Sequence, residues 1–580
     1  MRLPLLLNSV VPYVLWPLRR VALGPRLVTE VAVCLLANVT APRPRPYSLA
    51  ADYTTWPGLT DRTFTGRHLP AAKPSTIDPP SERDVVELFR RPPGREIAST
   101  DTSVLFMFFA QWFTDSFLRT DRRDGRRNTS TQEIDFCQVY GVSERQTRLL
   151  RELRGGRLKS QQRDGQEFPP FLFERKADGT LSVKAEFSGL HDEEFLTQVL
   201  LHDVGEQQKD LFFAVGLEHG NSTIGSTALD VVFLREHNRI AAALEQEYRL
   251  GGERPSWDHP MTSEALDERV FQTTRNIMLV LLLKLVVEEY IRHIAPHDLP
   301  LVLVPGMASG KRWNRSNQIA VEFNLLYRWH SLVPDVISTD EGPVDAKVFS
   351  RDNNALLLEK GVEWVITQCS RSRAAKVCLG NTPAFLLDRK HPDWPAVEER
   401  TVSQMRAARL RSYNDYRRRF SLPPLASFAD LTSDAALQQR LTDLYQDIEH
   451  LEWYVGIFAE DYPTDQFLGG LLTTMVGYDA FTQALTNPLL APDVYNEATF
   501  TRAGLDIIAG TSSLQQIAAR NVTRPEALLA SFTSRTSDVP STRSSSGPVT
   551  DLPAQRDRDS GAQVVAGASS TPRGATTDPG

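Results

Sequence analysis

The chain has 580 residues, 41% of them hydrophobic and 24% charged, with a formal net charge of −7. That is enough apolar material for a core able to enclose a large cofactor. The acidic balance, and the short basic runs at 122–127 and 417–419 with acids interspersed around them, argue against nucleic acid as a partner. The four cysteines, Cys34, Cys137, Cys369 and Cys378, form no Cys-x-x-Cys pair, which excludes a disulfide-stapled module and a zinc site of ordinary spacing. A Cys369–Cys378 bridge and four free thiols both fit the count.

The first forty residues differ from the rest. Residues 1–16 (MRLPLLLNSVVPYVLW) are apolar, Arg19 and Arg20 follow, and a second apolar stretch covers 27–36. Neither stretch reaches the roughly 20 uninterrupted apolar residues that span a bilayer, and Pro4, Pro12, Pro17 and Pro25 cut the segment into short pieces. A signal peptide is one reading. The favoured reading is a set of short helices lying in one leaflet with arginines at the headgroups, because the cleavage context is poor and the apolar character continues past it. Residues 1–46 are therefore expected to form a membrane-association segment, ending in the stiff connector APRPRP at 41–46.

Residues 47–533 read as one mainly α-helical catalytic domain. Helical periodicity is clearest at 104–118, 144–153, 226–248, 265–294 and 402–420. The run VLLLKLVV at 280–287 is apolar nearly all round and bounded by Glu288 and Glu289, so it is expected as a buried core helix. Strand signals are few, LVLV at 301–304 being the clearest. Residues 534–580 are dominated by Ser, Thr, Pro, Gly, Arg and Asp, and are expected to be a disordered tail.

The chemistry concentrates in EFNLLYRWHSLVPD, residues 322–335. On a helix, Tyr327 and His330 share a face. A neutral imidazole suits haem iron, and a phenol one turn away could pass an electron to an oxidised porphyrin. Taken alone, the pattern also fits an ordinary aromatic stripe with a hydrogen-bonded histidine.

The segment FNLLYRWHSLVPD resembles the part of the cyclooxygenases (prostaglandin-endoperoxide synthases of the animal haem-peroxidase superfamily) that carries the catalytic tyrosine and the proximal haem histidine. Other stretches are similar to that family in the same order: SLAADYTTWPGLTDRTFTGRHLP, FMFFAQWFT, VYGVSERQTRLLRELRGGRLK, FLREHNRIA, FQTTRNIMLVLLLKLVVEEYI, SYNDYRRRFSLPPLASFADL and LTDLYQDIEHLEWYVGIFAED. Together they cover roughly residues 45 to 530. The resemblance implies an animal haem-peroxidase fold, one haem b per chain held by His330, Tyr327 as the radical-forming residue, and Gln111 in the distal pocket. It places Phe323 and Trp329 along a fatty-acid channel and gives Arg235 and His237 a packing role. A polyunsaturated fatty acid and O2 would be the substrates, and a membrane surface and a homodimer the further partners.

Four departures from the family's pattern matter. Where the family carries its distal histidine, four residues after Gln111, this chain has Asp115, so peroxidase activity is in question; a buried carboxylate beside haem could still act as a base. The family's channel-mouth arginine should fall near Leu36, and Arg43 or Arg45 would have to replace it. Thr482 stands for the serine of the channel segment that aspirin acetylates. The growth-factor-like module and an ER-retention tetrapeptide are missing, and the tetrad Tyr-Arg-Trp-His is shared with the fungal linoleate dioxygenases of the superfamily. The expected activity is therefore a radical fatty-acid dioxygenase yielding a hydroperoxide or an endoperoxide. The alternatives are a peroxidase of small reductants and an inactive haem- or lipid-binding homologue.

Overall fold

Helices build the frame, as the 3.6-residue spacing of apolar positions predicts. The computed structural model describes residues 21, 23–35, 37, 47–74, 77–196, 201, 204–249, 262–295, 299–351, 353–389 and 395–534. The helices that position the site, in chain order, are α1 (Gly24–Val33), α2 (Val104–Thr114), α3 (Ile224–Arg249), α4 (Ser263–Leu285), α5 (Val321–Leu326), α6 (Val397–Ala407), α7 (Trp453–Ala459) and α8 (Gly470–Leu485). The β-structure among the described residues is a set of two-stranded antiparallel ribbons, such as Ala98–Ser103 against Arg373–Ala375.

Helix α2 begins where Ser103 Oγ accepts the Phe106 amide, an N-cap that stops the preceding strand. Phe106, Phe109, Trp112 and Phe113 are buried on it, and Trp112 Nε1 donates to Asp230 Oδ1 of α3 at 2.7 Å. After α4 the helix widens for one turn, Val286–Tyr290, before resuming at Ile291–Ile294. Such π-turns gather at functional sites, and this one places the buried Tyr290 ring on Phe106, centroids 5.1 Å apart. The stretch from Ser263 to Ile294 is long and apolar enough to cross a membrane, yet it lies mostly inside the protein, as the core-helix expectation requires.

Three local expectations are corrected. The stretch 301–304 forms no strand. Its amides are taken by side chains instead, Val302 N–H donating to Thr29 Oγ1 and Leu303 N–H to Glu288 Oε1, both at 3.0 Å. The helix expected over 402–420 is two, α6 and Tyr413–Arg419. Arg409 adopts a φ of +53° between them, and its guanidinium donates to the Ala72 carbonyl, pinning the break. The helix expected to carry both Tyr327 and His330 ends at Leu326; Tyr327 caps it, and His330 opens a separate 3-10 turn through Leu332.

All four cysteines are free. The asparagines that open the Asn-x-Ser/Thr tripeptides at 128, 221 and 521 are buried. Residues 1–20 and 38–46 of the expected membrane segment, and 535–580 of the expected tail, lie outside the described residues. Ser534 is still held to the body, its amide donating to the Asp101 carbonyl at 2.6 Å. Helix α1 rests one face on the body, burying Val28, Ala32 and Val33, while Val21, Leu23 and Leu27 are exposed.

The first turn of α3 crosses α2 at Gly225, where a Cβ would lie 2.2 Å from Phe108 Cγ. No side chain fits that gap. We expect Gly225→Ala to destabilise the protein by about 1–3 kcal/mol through overpacking, read by chemical denaturation; a loss under about 0.5 kcal/mol would contradict the close crossing.

Candidate active site

His330 lies at the end of a cavity of about 390 Å³ whose other lining residues include Gln111, Asp115, His219, Tyr327 and Trp329. A volume of that order suits a small-molecule or cofactor site. The imidazole is oriented by a buried carboxylate. His330 Nδ1–H donates to Glu398 Oε1 at 2.7 Å, and Tyr454 O–H donates to Glu398 Oε2 at 2.8 Å. Glu398 is fully buried near the start of α6, so both its oxygens are served by protein donors. With Nδ1 engaged, Nε2 is the nitrogen left to bind a metal, the arrangement by which carboxylates orient ligating histidines. The donor set fits a haem: one imidazole of fixed tautomer, apolar walls from Met107, Phe108, Leu332 and Val333, and polar groups on α2 and the following turn.

Gln111 lies on α2 and Asp115 is its C-cap. Thr223 Oγ1 donates to Gln111 Oε1 at 3.3 Å, which leaves the amide nitrogen as the free donor. The Asp115 carboxylate is a third exposed rather than sealed, and its Oδ2 lies 3.2 Å from His219 Nε2. Its neighbour Glu218 takes two contacts from Arg119 Nη2, at 3.0 and 3.1 Å. Burial works against the Glu218 carboxylate, but Arg119, then His219, outweigh it and hold its pKa at about 2. Burial alone would push His219 down; Asp115, with Glu218 behind it, holds it above its ordinary value.

Tyr327 is partly buried with its hydroxyl oxygen kept from solvent, its ring centroid 5.2 Å from Phe323 and 4.8 Å from Trp329. Neither its hydroxyl nor that of Tyr290 closes a hydrogen bond of normal geometry, although the two phenols interact. Burial raises the pKa of both above the usual phenol range. Trp329 lines the His330 cavity, whereas Phe323 and Thr482 line a separate crevice with His68, Trp313, Tyr478 and Asp479. That crevice holds about 20 Å³, the room of about one water. Thr482 Oγ1 donates to the Asp479 carbonyl within α8 at 3.0 Å. Arg235 and His237 lie away from the cavity. Arg235 donates to the Glu167 and Asn521 carbonyls, and His237 Nδ1 accepts from Tyr140 O–H at 2.8 Å. Leu36, Arg43 and Arg45 lie outside the described residues.

Thus the cavity gathers Gln111, Asp115, Tyr327, Trp329 and His330 from the sequence-derived set, and the crevice gathers Phe323 and Thr482. Two residues escaped the sequence. His219 sits in a loop with no periodic signal. Glu398 is adjacent to Glu399, which caps α6 by accepting the Ala396 amide at 2.7 Å, and nothing in the string separates the two acids.

The fold and the cavity define a haem-peroxidase architecture. Residues 116–531 match the animal haem peroxidase family, and the chain belongs to it. It is similar to prostaglandin G/H synthase 2 of Equus caballus, with 29% identity over 83% of this chain and 74% of that one. Against prostaglandin G/H synthase 1 of Rattus norvegicus it is 29% identical over 85% and 77% of the two chains. Among solved structures, the Arabidopsis thaliana fatty acid α-dioxygenase superposes with a TM-score of 0.64, at 16% identity and 92% coverage of each chain. Peroxidase A of Dictyostelium discoideum superposes with a TM-score of 0.61, at 19% identity, covering 82% of this chain and 94% of that one.

Removing the shared carboxylate strands two buried donors. Glu398→Ala should cost about 2–3 kcal/mol of stability, measured by denaturation of the haem-free protein, and Glu398→Gln clearly less; equal stability of all three would refute the buried bridge. A second test concerns His68, whose Nε2 lies 2.9 Å from Asp479 Oδ2. Burial lowers its pKa, but Asp479 and Glu322 outweigh burial and Arg419 and hold it above the ordinary value. Because the folded pKa exceeds the unfolded value of about 6.5, this stabilisation is complete below about pH 6.5 and vanishes as pH rises through the folded pKa. The stability advantage of wild type over Asp479→Asn should therefore shrink as pH rises above about 6.5; an advantage that grows with pH would reverse the sign.

Proposed function

We propose that this protein is a haem-dependent radical dioxygenase that adds O2 to a polyunsaturated fatty acid, with one haem b per chain on His330. The observation that carries this reading is the position of Tyr327. Its hydroxyl is kept from solvent without a normal hydrogen bond, and its ring lines the His330 cavity and packs through Phe323 against the crevice that holds Thr482. Haem bound at His330 supplies the oxidising equivalent that takes an electron from Tyr327.

The chain's own residues account for the remaining steps. Tyr327 gives up its phenolic proton together with the electron, and burial disfavours a phenolate, so a neutral radical is the accessible oxidised form. That radical takes a bis-allylic hydrogen atom from the acyl chain, O2 adds to the carbon radical, and the resulting peroxyl radical takes the hydrogen atom back from the re-formed Tyr327 O–H, giving the hydroperoxide and restoring the tyrosyl radical. Phe323 and Thr482 shape the path of the acyl chain, which requires the crevice to widen on binding. Trp329, packed between Tyr327 and Phe467, fixes the tyrosine ring and belongs to the cavity wall. The exposed Val21, Leu23 and Leu27 beside α1 and the exposed Tyr53, Trp56 and Leu59 support docking on a membrane surface, the source of such a substrate.

The test is oxygen uptake by haemin-reconstituted protein given arachidonate and a trace of lipid hydroperoxide. We expect uptake in the wild type and a loss of at least about a hundredfold in Tyr327→Phe. Haem bound through His330 without any oxygen uptake would refute the proposal and leave a peroxidase of small reductants or a binding protein.

A further inference from the structure

We propose that His219, held by Asp115, is the group that moves the proton of a hydroperoxide in the His330 cavity. This rests on the reading of that cavity as a haem site. Asp115 then acts as a positioning residue and not as the acid–base group itself.

A helix C-terminus carries partial negative charge, so a carboxylate at its C-cap is unfavourable unless a hydrogen-bond donor such as a neutral imidazole N–H answers it. Asp115 occupies that C-cap, and His219 answers it at 3.2 Å. The contact is one half of a matched pair: Asp115 and Arg119, one turn apart, meet His219 and Glu218, adjacent in the 217–222 loop. The loop is therefore pinned at two points. Its close approach to α2 depends on Gly225, where any side chain would strike Phe108.

His219 and His330 are the two imidazoles among the residues lining the cavity. With Nε2 facing Asp115, His219 keeps Nδ1 for a ligand, and its side chain remains 27% exposed. Gln111, its carbonyl occupied by Thr223, offers its amide N–H to the same ligand. The charged and titratable groups around His219 are Asp115, Glu218, Arg119 and His191, with Arg328 and Arg351 on the cavity wall. His191 is buried, and burial holds its pKa down at about 4, so it adds no positive charge beside His219. Asp115 is thus to His219 what an orienting carboxylate is to a catalytic imidazole elsewhere.

The step balances within the site. A hydroperoxide gives its O–H proton to His219 Nδ1. A haem held by His330 would supply the two electrons that break the O–O bond and would keep the oxygen that does not leave, while His219 returns the proton to the oxygen that does. An alcohol departs, or water when the substrate is hydrogen peroxide, and His219 ends as it began.

The experiment uses the full chain reconstituted with haemin, and hydrogen peroxide and cyanide as probes. Cyanide association is a binding readout that depends on the same proton acceptor. In His219→Gln we expect the peroxide-driven Soret change and cyanide association both to slow by about a hundredfold or more, with haem stoichiometry unchanged. Asp115→Asn should slow them by about tenfold, and added imidazole should restore part of the rate in His219→Ala. Tyr327→Phe should abolish oxygen uptake. Rates within about twofold of wild type in both His219 variants, or a larger loss in Asp115→Asn than in His219→Gln, would overturn the proposal. Oxygen uptake that persists in Tyr327→Phe would refute the dioxygenase reading and leave the role of His219 standing; a wild-type chain that binds no haem would sink both.

Discussion

The buried carboxylate of Glu398 is the contact around which the site is organised. It is fully removed from water near the start of α6 and spends both oxygens on the His330 imidazole and the Tyr454 hydroxyl. A buried charge is tolerable only when its hydrogen-bonding capacity is met, so three segments far apart in the chain must converge on it. The chain obeys by leaving the helical path after Leu326. Tyr327 caps α5, Trp329 turns its ring onto Phe467, and His330 starts a new turn pointing at Glu398. The break in the helix follows from this demand, since EFNLLYRWHS has no glycine or proline to enforce it locally.

The opposite demand acts at the end of α2. There the constraint is space, set by Gly225 against Phe108, and the outcome is a loop close enough to place Glu218 and His219 on Arg119 and Asp115. The two constraints supply different chemistry. Glu398 settles which nitrogen of His330 is available, and the α2 end gathers proton donors and acceptors in the same cavity. Between them stands Tyr327, whose hydroxyl is kept from solvent and closes no hydrogen bond of normal geometry. A phenol in that condition resists ionisation and is better suited to losing a proton and an electron together.

The crevice beyond Phe323 has a different character. His68 and Asp479 form a buried ion pair beside Thr482, and the space left is about that of one water. An acyl chain cannot enter without side-chain movement there, whereas the His330 cavity is open already. Regiochemistry in the proposed reaction is therefore decided by what moves around Thr482 and Tyr478, and the oxidising chemistry by a cavity that is in place before substrate arrives.

Read alone, the string already carried the helical class, the core position of the apolar run after Val280, and the Tyr327–His330 motif. Those features depend on periodicity and local residue type, and neighbours in sequence are enough to reveal them. It also placed Gln111 and Asp115 together, through the resemblance of FMFFAQWFT and the residues after it to the family's distal segment. What only the tertiary structure decided were the partners drawn from distant segments. Glu398 and Glu399 are interchangeable on paper, yet one orients His330 and the other caps its own helix. His219 looks like any loop histidine until the Gly225 crossing carries it to Asp115. The stretch 301–304 reads as a strand, but its amides find side-chain acceptors in α1 and the π-turn, so no strand pairs with it. In each case the deciding interaction is a buried polar contact over long sequence separation, whose energy depends on desolvation that no local window of sequence contains.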